Sequence, residues 1–160
     1  MLTRRNTLQQ GAAVASAFAA GALWPLQAQA AGQTAALAAE KAAFAAKTVA
    51  DAVKALGATR AMTASEQVTL TAPDISDNGS VVPVEVASTA ANLKKIALVV
   101  EKNPAPLVAV FHVTPEVEAS FATRSKMSQS SDVYAIALTS DGAALYAKKE
   151  VKVTLGGCGS

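Results

Sequence analysis

Between residues 67 and 155 the apolar side chains of this chain recur at every second position, in short runs divided by turn residues. A period of two puts successive side chains on opposite faces of an extended strand, so this stretch folds as sheet. Val68 and Leu70 open a first strand, and Pro73-Asp74-Ile75-Ser76-Asp77-Asn78-Gly79 reads as a loop ending in a turn pair. Val82, Val84 and Val86 share one face of the next strand, with Val81, Pro83 and Glu85 on the other. Pro83 has no N–H to give a ladder, which predicts an edge or bulged strand. Ile96, Leu98 and Val100 mark another strand, followed by the stiff connection Lys102-Asn103-Pro104-Ala105-Pro106. Residues 107–113 are apolar on both faces and predict a central strand. Strands over 121–127 and 133–138 follow, and Ser140-Asp141-Gly142 turns into a closing strand over 145–155. Six or seven short strands, with turn signals every eight to twelve residues, predict an antiparallel β-sandwich of immunoglobulin type.

Upstream the period lengthens. Thr34 predicts the N-cap of a helix over residues 35–56, and Gly57 its stop. Glu40, Lys47, Asp51 and Lys54 fall in one sector of that helix, opposite Leu37, Phe44, Val49, Val53 and Leu56. Lys47 and Asp51 are spaced to pair across one turn. The helix is amphipathic, with an alanine-rich face suited to packing on its own sheet or on a partner subunit.

Residues 1–30 read as an export signal. Thr3-Arg4-Arg5-Asn6-Thr7-Leu8-Gln9 is a twin-arginine pattern, residues 11–23 are uncharged, and Ala28-Gln29-Ala30 offers small residues for cleavage. The apolar run is too short to cross a bilayer. Arg4 and Arg5 favour the Tat route, whereas Thr7, where that pattern has a large apolar residue, leaves the Sec route open. The expected organisation is a leader at 1–30, a helix plus β-sandwich at 31–155, and a short arm at 156–160. Loss of Arg4 and Arg5 lowers the 14 basic residues to 12, against 12 acidic ones. A near-neutral chain that also loses Trp24, with few aromatics left, is not built to bind nucleic acid.

The only cysteine, Cys158, sits between Gly157 and Gly159, with Gly156 before them and Ser160 after. An exported chain with one cysteine has no internal disulfide, so its thiol either pairs between chains or works as a nucleophile. One Cys and one His, His112, are too few for a metal site in a single chain. His112 reads as a histidine on a strand face, and Glu116 and Glu118 as solvated strand-end charges. No base or electrophile is arranged around the thiol, which speaks against an independent enzyme. The alternating stretch 150–155 pins the segment at one end, and three extended residues from Leu155 to Cys158 reach at most ~10 Å. Two readings remain on these residues: a thiol presented to the pockets of other proteins, or an exported immunoglobulin-like module whose cysteine joins two chains by a disulfide.

Several stretches together resemble SoxY, the sulfur-carrier subunit family of the periplasmic thiosulfate-oxidising Sox system. They are Ala72-Pro73-Asp74-Ile75 with Asn78-Gly79, Val82-Pro83-Val84-Glu85-Val86, Val100-Glu101-Lys102-Asn103-Pro104, Thr123-Arg124-Ser125-Lys126-Met127, and the run from Lys149 through Leu155 to Gly156-Gly157-Cys158-Gly159. Ser160 departs from the glycine that usually ends the family's tail. The resemblance implies a non-catalytic periplasmic carrier without metal or resident cofactor, holding thiosulfonate and persulfide-type intermediates on Cys158. It implies a heterodimer with SoxZ and transient visits to SoxAX, which conjugates thiosulfate, to SoxB, which hydrolyses, and to SoxCD, which oxidises sulfane sulfur. A disulfide-linked homodimer is the further association a lone thiol permits. Gly156, Gly157 and Gly159 would keep the arm thin; the Ser160 carboxylate is expected to disfavour the thiolate, Lys149 and Lys152 to offset this, and activation to come mainly from the enzyme pockets.

Overall fold

A computed structural model describes residues 24–154 of the chain, with side chains from residue 34 onward. Its elements are α1 (Trp24–Ala45), α2 (Val49–Ala55), β1 (Met62–Ala64), β2 (Val68–Thr71), β3 (Ile75–Ser76), β4 (Val82–Ser88), β5 (Leu93–Val100), β6 (Leu107–His112), β7 (Ser120–Ser125), β8 (Ser131–Thr139) and β9 (Ala144–Val153). The chain divides into two compact units, Met1–Ala38 and Ala39–Ser160. All strands belong to the second. No described helix is long and apolar enough to cross a membrane.

The period-two pattern becomes an immunoglobulin-like sandwich. One sheet has the order β1-β9-β8-β5-β6, with β3 also pairing β9, and the other has the order β2-β4-β7. Neighbouring strands are antiparallel except β1 and β3, which run parallel to opposite ends of β9. Along β4 Val82, Val84 and Val86 are buried while Pro83 and Glu85 are exposed. They face Ile96, Leu98, Val100, Val133, Ala135, Ala137 and Val151 in a core between the sheets. The alternate residues Ala97, Val99, Ile136 and Leu138 enter a second core with Ala43, Ala52, Val53 and Leu56 of the helical segment. β5 and β8 are therefore buried on both faces, which is why they lack polar alternation.

Several sequence expectations change. Helix α1 begins well before Thr34, because the alanine-rich run continues a helix without needing a cap there. It stops at Ala45, and Thr48 starts a separate helix α2: Asp51 N donates to Thr48 Oγ1 at 3.1 Å, and the Thr48 hydroxyl donates to Asp51 Oδ2 at 2.7 Å. This break removes the register that would join Lys47 to Asp51, and Lys47 Nζ donates instead to Pro104 O at 3.4 Å. Of the expected apolar sector, Val53 and Leu56 are buried, but Phe44 is 42% exposed. Gly57 ends the helical segment with φ of 107°.

The strand expected to be central, β6, is an edge. Its two apolar faces are covered all the same, one by the helical core and the other by packing such as the stacking of Phe111 on Phe121 of β7 at 4.5 Å. Conversely, β4 is the middle strand of its sheet. Pairing with β2 runs only from Ser88 to Glu85, so Pro83, opposite Arg124 of β7, lies where the other side of the strand is open. β1 and β3 were not visible as strands, being two or three residues long.

Candidate functional site

Cys158, Gly156, Gly157 and Gly159, like Arg4 and Arg5, lie outside the described residues. The structure does place the strand that leads to the cysteine. β9 pairs with β8 as far as Val151 opposite Ser131. Beyond that point β8 has no further residue to offer, and different groups hold each edge of β9.

On the β8 side, the Ser130 hydroxyl takes over from the ladder. Val153 N donates to Ser130 Oγ at 2.9 Å, and the Ser130 hydroxyl donates to Val153 O at 3.4 Å. On the other side lies β3, paired parallel with Lys152 and Val153. Lys152 N donates to Asp74 O at 2.9 Å and Thr154 N to Ser76 O at 3.0 Å. The Thr154 hydroxyl donates to Asp77 Oδ1 at 3.1 Å. In an extended strand successive N–H groups point to opposite edges, so residues 152–154 are gripped from both sides.

The loops that provide these groups are themselves braced. Lys149 Nζ donates to Ala72 O at 2.6 Å and pairs with Asp74 Oδ1 at 3.0 Å, which fixes the entry to β3. Ser80 N donates to Asn78 Oδ1 at 2.9 Å, the side-chain-to-backbone bond by which asparagine stabilises a turn. Met127 N donates to Gly79 O at 2.7 Å, joining this turn to the segment after β7. Asn103 Nδ2 donates to Lys126 O at 2.7 Å, and Asn103 Oδ1 accepts from Ser128 N at 3.2 Å. Lys102 N donates to Ser131 Oγ at 3.0 Å. Two connections, 72–80 and 126–131, thus meet at the end of β9, and a third, 101–106, braces the second of them. They contain Ala72-Pro73-Asp74-Ile75, Asn78-Gly79 and Glu101-Lys102-Asn103-Pro104 of the stretches on which the sequence resemblance rests.

The charges around this end differ from expectation in one respect. The Lys149 ammonium is engaged with Ala72 O and Asp74 rather than open to the following segment, while Lys152 is exposed. Of the residues weighed as alternatives, His112 ends β6 and its Nε2 lies 2.7 Å from Glu40 Oε1, to which the Lys95 ammonium donates at 3.1 Å. The hydrogen bond from Lys95 holds the Glu40 carboxyl below the usual range against the opposing effect of burial, with further help from His112. Glu116 and Glu118 are exposed, and the Thr114 hydroxyl lowers the Glu116 pKa. Among the described residues no three His, Cys, Asp or Glu side chains are grouped to hold a metal ion.

Ser130, Asp77 and Asn103 are the site residues that sequence reasoning missed. A lone serine in Ser128-Gln129-Ser130-Ser131 has no periodic or spacing signal, since its role depends on where a distant strand ends. The described groups assemble no catalytic constellation. Their joint effect is to deliver the chain, firmly held, at Thr154, four residues before Cys158.

A family model described as "Sulfur oxidation protein SoxY" matches residues 53–158, which takes in every strand and ends on the cysteine. Among solved structures, the chain is similar to the sulfur carrier protein SoxY from Chlorobium limicola f thiosulfatophilum, at 29% identity and a TM-score of 0.61, covering 67% of this chain and 96% of that one. Superoxide reductase (neelaredoxin) from Ignicoccus hospitalis matches at 17% identity and a TM-score of 0.46, over 56% of this chain and 81% of that one. No curated protein matches the chain. With more than half of its length matched by that model, the chain belongs to the SoxY family of sulfur oxidation proteins.

Proposed function

We propose that this chain is a covalent sulfur carrier: Cys158 holds the intermediates of thiosulfate oxidation while separate enzymes transform them, and the chain itself catalyses no step. The observation that supports this most is the braced end of β9. The 72–80 loop and Ser130 hold residues 152–154, after which four extended residues carry Cys158 at most ~13 Å further. Gly156, Gly157 and Gly159 add no side chains, so the segment suits a narrow enzyme channel.

The thiolate is the attacking species. In the loading step its sulfur and the terminal sulfur of thiosulfate would form an S–S bond, the two electrons released leaving one at a time by way of the c-type haem chemistry of the conjugating enzyme SoxAX. Water then attacks the sulfonate sulfur at SoxB, releasing sulfate and leaving a persulfide on Cys158. SoxCD would then take six electrons from that outer sulfur, three waters supplying the oxygens and an electron acceptor of that enzyme taking the electrons, and a second hydrolysis would release sulfate and free the thiol. Lys149 is occupied by Asp74 and Ala72, so ionisation of the thiol falls mainly to the enzyme pockets. SoxZ is the expected heterodimer partner. Arg4 and Arg5 would direct export to the periplasm by the Tat route.

The test is intact-protein mass spectrometry of the reduced mature chain, with its partner subunit, after exposure to thiosulfate and the haem-containing conjugating enzyme. A discrete thiosulfonate adduct on Cys158, absent in Cys158→Ser, is expected. A doubled mass reversed by reductant, with no adduct, would instead make the chain a disulfide-linked module.

A further inference from the structure

The hydroxyl of Ser130 does for Val153 what a β8 backbone unit does for Val151. It receives the Val153 N–H at 2.9 Å and is placed to return its own hydrogen to Val153 O at 3.4 Å. A hydroxyl is one of the few side-chain groups able to serve as donor and acceptor at once. β8 starts at Ser131, and the chain before it turns away to bond with Asn103 and Lys102. Without Ser130 this edge of β9 would lose its partner two residues earlier, at Val151. The opposite edge would then rest on β3, a two-residue strand, and on the Thr154 hydroxyl bond to Asp77.

We infer that Ser130 is a positioning residue for the sulfur-transfer reactions: it fixes the point at which the cysteine-bearing segment leaves the fold. This rests on the carrier reading above. The physical reason is preorganisation. With residues 152–154 held, Thr154 is a fixed origin, and four residues from it reach at most ~13 Å to Cys158. With them released, up to three more residues join the tether, adding at most ~10 Å of reach. A longer tether dilutes the thiol at any one channel mouth and adds to the ordering entropy that binding must overcome. Ser130 acts through the backbone of Val153.

The experiment compares wild type, Ser130→Ala and Ser130→Thr as full mature chains with the partner subunit. Amide hydrogen exchange should accelerate about fivefold or more at Val153 and Thr154 in Ser130→Ala, the loss expected for one hydrogen bond. Exchange in the middle of β8 should be unchanged. In thiosulfate loading by the haem-containing enzyme, Ser130→Ala should raise KM for the carrier about threefold or more with kcat retained. Alkylation of Cys158 by iodoacetamide should keep its wild-type rate, and Ser130→Thr, which preserves the hydroxyl, should restore KM. Wild-type exchange at Val153 or a wild-type KM in Ser130→Ala would overturn the inference. Should that variant lose protection throughout β8, Thr154→Val serves instead: it releases the same three residues from the opposite edge by removing the hydroxyl's bonds to Asp77 Oδ1 and Ser76 O, and an unchanged KM there would show that holding residues 152–154 does not matter and would also overturn the inference. Failure of the wild type to load thiosulfate would reject the carrier reading, while the exchange data would still decide whether Ser130 holds the strand.

Discussion

Gly79 and Val153 meet so closely that no side chain fits between them. A Cβ at residue 79 would stand 2.8 Å from Val153 Cγ1 and 2.5 Å from Met127 O. The contact joins the β3–β4 turn to the end of β9 and, through the bond from Met127 N to Gly79 O, to the segment after β7. Glycine here answers a demand for space rather than for a special backbone angle, since Gly79 is not among the residues with positive φ.

Gly79→Ala should therefore destabilise the fold by ~1–3 kcal/mol, the usual range for overpacking where backbone must move. The obstructing Met127 carbonyl is main chain and cannot swing aside. Chemical denaturation would show a lower midpoint with an unchanged m-value. Hydrogen exchange should localise the disturbance to Val153 and the 126–131 connection.

Gly142 and Gly57 make a controlled pair. Both have positive φ, 79° and 107°, but a Cβ at 57 meets open space, whereas one at 142 would run into Thr59 Oγ1. Thr59 N also donates to Gly142 O at 3.0 Å, tying β1's approach to the β8–β9 turn. Gly57→Ala should cost ~1 kcal/mol from backbone strain alone, and Gly142→Ala ~2–3 kcal/mol from strain plus the clash. Thermal unfolding of the two variants in parallel would reveal the order, and an equal loss would contradict it.

Leu98 lies in β5 with no solvent exposure, between β6 and β8 in register with Ala109 and Ala135. Those two small neighbours cannot expand into the space its side chain fills. Leu98→Ala should lower stability by ~2–5 kcal/mol, as expected for a cavity in a core that cannot collapse. Equilibrium denaturation checks it directly.

Glu40 links the end of α1 to β5 and β6 through Lys95 and His112. Its folded pKa is lowered, so the stability it contributes is present above the ordinary glutamate pKa. That contribution is lost as pH falls through the lower folded value. Near neutral pH, Glu40→Gln should be less stable than wild type by at most ~1 kcal/mol, because the pair is only partly shielded from water. The difference should shrink towards zero on acidification below the glutamate range. Denaturation curves for both proteins across that interval test the sign: a gap that widens in acid would refute it.

The sequence by itself determined the sandwich, because strand periodicity is a local property: Val82, Val84 and Val86 declare one buried face whatever they pack against. It also pointed to Cys158, whose isolation among glycines is visible without any fold. Tertiary structure alone decided which strands were central. β6 is apolar on both sides yet forms an edge, because Phe121 and the helical core cover it from other parts of the chain. It decided that the helix stops at Ala45 and restarts after Thr48, whose side chain caps Asp51 N, rather than running on as the continuous pattern suggests. It also decided that Ser130 and Gly79 guard the end of β9, since hydrogen bonding and close packing between residues 23 or 74 positions apart follow from where strands stop, and no local pattern encodes that.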